Sequence, residues 1–192
     1  MKNSVFYMVV FTLLFQCSID RSTPGLSNNE IKMLQDFGAL NTESRVQIAD
    51  SLEPGQPLWL CLTFVSKKTQ EPLSDQKVSF YHTSSEGDYQ PADPNDETTA
   101  RLNGIAITDQ QGRIFVQTIL PGDYGSSEDN RHIHTTVENA KPEAYDIHFK
   151  QYTGTMGSNF ISGSDQHFLA DLRAMPTGTL VTFLTIEVKN AV

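Results

Sequence analysis

An all-β fold is expected from this chain: an antiparallel β-sandwich of about eight strands, with a short N-terminal helix and long loops. Three observations predict it. From Leu58 onward, runs rich in Val, Ile, Thr, Phe and Tyr recur at strand length. Stretches dense in Gly, Pro, Asp and Asn separate them. One run, PLWLCLTFV, is apolar on both faces, as a central strand between two layers must be.

The chain begins with MKNSVFYMVVFTLLFQC, in which Val5 to Phe15 is an apolar run. A bilayer span needs about 20 residues, so this run suits the apolar core of an export signal. Its end, LLFQC, resembles a bacterial lipoprotein signal with Cys17 as the lipidated residue. Residues 1–17 are therefore expected to be the signal, 18–27 (SIDRSTPGLS and its neighbours) a flexible tether, and 28–192 the folded domain. That places the protein in the cell envelope, lipid-anchored or released. Without Cys17 only Cys61 remains, so an internal disulfide is impossible; Cys61, inside the apolar run, reads as a small buried hydrophobe.

The remaining elements follow in order. NNEIKMLQDFGAL spaces Ile31, Leu34 and Phe37 at helical intervals, with Asn28 or Asn29 as N-cap. SRVQIADSL reads as an edge strand, PLWLCLTFV as the central one and KVSFYHTSS as the next. Residues 86–104 form a long surface loop. IAITDQQGRIFVQTIL reads as a hairpin turning at DQQG, and HIHTTV and AYDIHFKQY are further strands. Residues 153–178 are loop-rich, with a short helix expected near QHFLADL, and TLVTFLTIEVK closes the chain as a long strand. The formal net charge of −9 argues against nucleic acid or an anionic membrane surface as a partner.

His132 and His134 carry the first functional signal. Two residues apart on a strand, they project from the same face. Such a pair often marks a metal site, and equally describes two ordinary strand histidines. Tyr124 in PGDYG and Tyr89 in EGDYQ both follow Gly-Asp at strand ends, where loops deliver side chains to a common rim. Each alone reads as an aromatic packing over its loop. Together the four make a coherent ligand set for a strongly Lewis-acidic cation that keeps phenolate deprotonated, and ferric iron fits that demand.

The order of PLWLCLTFV, the Gly-Asp-Tyr loop, TDQQGRIFVQTILPGDY, HIH and YDIHF resembles the catalytic domain of intradiol ring-cleavage dioxygenases, the catechol and protocatechuate dioxygenases. The resemblance covers roughly residues 55–152, about half the chain. It implies one Fe(3+) bound by Tyr89, Tyr124, His132 and His134. It also implies Tyr124 as general base, a catechol-like aromatic and O2 as partners, and a muconate-type diacid as product. Two departures stand out. The family's arginine, three residues before the first histidine, is replaced by Asp129, and Arg131 is the candidate substitute. In YDIHF, Asp146 and His148 stand where the family has glutamine and tyrosine; Asp146 needs a partner, for which Arg131 is a candidate. The small single-domain form resembles the family's exported members, which often dimerise, but the sequence identifies no dimer interface. His82 reads as structural and His167 as a polar-loop residue. The competing expectation is an exported binding or assembly module in which the iron site is vestigial.

Overall fold

The computed structural model describes residues 23–123, 129–153 and 157–189. The expected export signal, most of the expected tether and Tyr124 lie outside the described residues. The C-terminal end of the tether is pinned: Gly25 bridges Ala174, and the Ala174 amide donates to the Pro24 carbonyl at 2.9 Å.

Two five-stranded sheets pack face to face, which is the expected all-β sandwich. The first holds, in spatial order, β1 (Arg45–Gln47), β5 (Arg113–Ile119), β2 (Pro57–Ser66), β10 (Leu180–Val188) and β9 (Arg173–Ala174). The second holds β4 (Leu102–Ile107), β3 (Lys77–His82), β6 (His132–Val137), β7 (Ala144–Phe149) and β8 (His167–Ala170). Both sheets are mixed: β1 and β5, β2 and β10, and β7 and β8 pair in parallel, and the other neighbours are antiparallel. In a sandwich the chain changes layers between neighbours, so the last crossing sets a strand's direction, and no hairpin need do so.

The core follows from alternation. Leu58, Leu60, Leu62 and Phe64 of β2 point inward, to meet Val78, Phe80, Ile133 and Ile147 of the opposite sheet. The other face of the first sheet, with Cys61, Phe115 and Val181, is covered by Phe37 of α1 (Asn28–Gly38). This second cover is why PLWLCLTFV is apolar on both faces. Cys61 is buried, and burial raises its thiol pKa, so it is an inert core residue. The α1 N-cap is Ser27, one residue earlier than expected: its hydroxyl accepts from the Glu30 amide, and Glu30 returns a bond to the Ser27 amide.

IAITDQQGRIFVQTIL is not a hairpin. β4 lies at the edge of the second sheet and β5 inside the first. Asp109 accepts from the Gln111 and Arg113 amides and from the Arg113 guanidinium, so the turn is tied to itself and not to a strand pair. Gly112, at φ +72°, stands where a Cβ would meet the Phe64 carbonyl at 2.3 Å, which seats the crossing on β2. The two strands differ in burial accordingly: Ile105 and Ile107 are exposed, whereas Ile114, Phe115 and Val116 are buried.

The expected helix near QHFLADL is a strand, β8; the helix, α2 (Ser158–Ser162), comes before it. His167 and Phe168 alternate between faces beside β7, and pairing with that strand outweighs the weak helical spacing.

Candidate metal centre

In the second sheet, Ile133, Thr135, Val137, Tyr145, Ile147 and Phe149 are buried toward the core side. Parity therefore sends His132, His134, Asp146 and His148 to the outer face. Register brings them together: His132 faces His148 and His134 faces Asp146 across the β6–β7 pair, and Tyr81 faces His134 from β3. The Tyr81 ring stacks on His134 with centroids 4.5 Å apart.

The loop after β3 delivers the third donor. Gly87, at φ +86°, presses on the Gly122–Asp123 backbone, where a Cβ would meet the Asp123 carbonyl at 2.0 Å. The Gly122 amide donates to the Ser84 carbonyl at 2.7 Å. The Tyr89 loop is thus locked to Gly122 and Asp123 backbone to backbone, and Tyr89 is buried over the histidines. Asp123 accepts from the Asp129 amide (2.7 Å) and the Asn130 amide (2.8 Å), which fixes the lead into β6.

Hydrogen bonding decides the tautomers. His134 Nδ1 donates to Asp146 Oδ1 at 2.9 Å, and His132 Nδ1 donates to the Asn130 carbonyl at 3.0 Å. Each Nε2 therefore presents a lone pair. The two Nε2 atoms are 3.1 Å apart, and the Tyr89 hydroxyl donates to His134 Nε2 at 2.8 Å. At that separation the two nitrogens share either a proton or a cation. Two donors each about 2.1 Å from a shared ion, at right angles, would be about 3 Å apart, so the set fits a metal. Histidine ligands characteristically donate their other nitrogen to a carboxylate or carbonyl, as both do here.

Burial pushes the His132 pKa below its usual value, with His134 adding to the effect, so the ring is held neutral. Burial opposes ionisation of Asp146. The His134 bond and the surrounding imidazoles outweigh that, and its pKa lies below the usual carboxylate value. The partner of Asp146 is thus His134, not Arg131. The Arg131 guanidinium lies over the Tyr152 ring at 4.5 Å, and its Nε is buried without a hydrogen-bond partner.

Sequence reasoning missed a second group beside the first. Asp146, His148 and His167 each offer a donor atom, and these atoms lie within 4.8 Å of one another. The signal was present in YDIHF, whose Asp146 and His148 repeat the two-residue spacing of HIH. His167 is hidden in the sequence because QHFLADL shows no clear strand alternation, and only pairing with β7 makes it a strand. His82 is structural, as expected: fully buried, it donates from Nδ1 to the Thr83 carbonyl and accepts at Nε2 from Thr118.

Comparison with known proteins places this geometry in a class. A family model described as "Dioxygenase" matches residues 34–179, and the chain belongs to the intradiol ring-cleavage dioxygenase family. A 56-residue stretch is 39% identical to catechol 1,2-dioxygenase of Acinetobacter baylyi, and covers 29% of this chain but only 18% of that enzyme. The dioxygenase domain of a dioxygenase–carbohydrate-binding protein fusion from Streptomyces sp. SirexAA-E has a similar structure. Its TM-score is 0.58 at 19% identity, over 79% of this chain and 93% of that one. An intradiol ring-cleavage dioxygenase from Tetranychus urticae gives 0.54 at 17%, over 81% and 93%. At these identities the structural likeness is one of fold.

Proposed function

We propose that this protein is a ferric-iron intradiol dioxygenase that opens a catechol-like ring with O2, giving a muconate-type diacid. The observation that carries the proposal is the convergence of the two Nε2 atoms, 3.1 Å apart, with the Tyr89 hydroxyl 2.8 Å from one of them. Tyr89, His132 and His134 would hold the iron, and family resemblance adds Tyr124 as the fourth ligand. Held there, ferric iron would supply the Lewis acidity that favours a deprotonated catechol and its reaction with O2. Both oxygen atoms enter the product as the bond between the two hydroxylated carbons breaks, so no external reductant is needed.

The chain's own residues supply position and proton handling. Asn130 and Asp146 keep both imidazoles in one tautomer. Tyr89, ordinarily protonated with a pKa near 10, gives up its hydroxyl proton when it becomes a ligand. Tyr124 takes a catechol proton as general base. Arg131 Nε, buried and without a partner, is the donor assigned to the substrate's negative charge. The converging donors weigh against the binding-module alternative. Export through residues 1–17, with a lipid on Cys17, would place the reaction in the cell envelope; labelling with a tagged fatty acid that Cys17→Ser abolishes would show it.

The direct test is the visible spectrum of the purified protein loaded with ferric iron, before and after anaerobic addition of catechol. A tyrosinate charge-transfer band that moves to longer wavelength is expected. Tyr89→Phe and Tyr124→Phe should each weaken the band, the latter also losing most ring cleavage, and His134→Ala should lose the iron. A colourless protein without stoichiometric iron would overturn the proposal.

A further inference from the structure

We propose that Asp146, His148 and His167 form a second cation site, distinct from the Tyr89–His132–His134 centre, which takes a divalent ion of the borderline class typified by zinc. The site is built by the β7–β8 pair. In its parallel register His167 stands opposite Asp146, and His148 follows Asp146 on the same face. His148 Nε2 is 2.9 Å from His167 Nδ1, and His167 Nδ1 is 3.9 Å from Asp146 Oδ2. Donors that share an ion at about 2.1 Å stand at most about 4.2 Å apart, so both separations are compatible with one ion. All three donor atoms lie within 4.8 Å of one another, and the Asp146–His148 separation closes by a turn of the Asp146 carboxylate about its own side chain. Two imidazoles and a carboxylate are donors of the type zinc takes.

A second observation points the same way. His148 is 2% exposed, yet its Nε2, the atom turned toward the site, is paired only with another imidazole. Buried polar groups are seldom left so poorly satisfied. Asp146 faces both groups: Oδ1 accepts from His134 and Oδ2 faces His167. Its negative charge between the two centres offsets repulsion between two cations, and the chain's net charge of −9 favours cation uptake generally. The ion would enter past His167, whose side chain is 28% exposed.

The second site does not depend on ring cleavage, and the test separates the two. Protein carrying one equivalent of ferric iron, followed by its tyrosinate colour, is titrated with Zn(II) and assayed by equilibrium dialysis and elemental analysis. The expected result is one further equivalent of zinc with the colour retained. His167→Ala and His167→Asn, at a half-exposed position that tolerates change, should keep the colour and lose that zinc. Tyr89→Phe should weaken the colour and keep the zinc. Failure to bind zinc, equal zinc in the His167 variants, or fading of the colour as zinc enters would each overturn the second site. A protein that never colours with iron, yet binds zinc in a His167-dependent way, would support the second site and overturn the ferric centre.

Discussion

The Asp146 carboxylate is the residue on which the centre turns. It fixes the His134 tautomer, and it occupies a position where the family resemblance places a neutral amide. Asp146→Asn keeps an acceptor oxygen but loses the charge that makes the bond strong. Partners of ligating histidines typically contribute 10–100-fold in metal affinity. We expect iron affinity to fall by roughly that factor in competition with a chelator, while the circular dichroism spectrum stays unchanged. Equal affinity in the variant would show that Asp146 does not orient the ligand. The His132 Nδ1 bond offers no such handle, because it goes to a main-chain carbonyl that no side-chain replacement removes.

At the scale of the element, β6 serves two faces at once. Ile133 and Thr135 anchor it in the core, and His132 and His134 project from the other side. A slip of one residue against β7 would bury the histidines and expose the isoleucine, so core packing enforces the register of the site. Ile133→Ala should cost about 2–5 kcal/mol in urea unfolding, since the side chain is fully buried and leaves a cavity. A loss below about 1 kcal/mol would mean that β6 is held by its loops instead. Far from the site, Ser27→Ala should cost about 1 kcal/mol by removing the α1 capping box, with no effect on iron colour.

At the scale of the whole molecule, a buried histidine makes the sandwich acid-sensitive. His82 is fully buried, and burial lowers its pKa to about 4 from the ordinary 6.5. Between those values the unfolded chain binds a proton that the folded chain does not, so stability falls as pH drops from about 6.5 to about 4. For this group alone the loss is roughly 3 kcal/mol. Unfolding midpoints measured across that range should decline in the wild type, and the slope should lessen in His82→Asn. A flat wild-type profile would show that His82 is not held neutral in the folded protein.

The sequence by itself determined the sandwich, its central strand and three donors now seen to converge, because alternation and two-residue spacing are local properties of a strand. It could not assign strands to sheets. The apparent hairpin at Asp109 and Gly112 is a crossing between layers, and only contact with β2 reveals it. Nor could it identify the partner of Asp146 or bring His167 to the centre, because both depend on β7 pairing with strands far away in the chain. Parity along a strand is written in adjacent residues. Which strand lies beside it is decided by burying both sheets' apolar faces together, and that is a property of the whole fold.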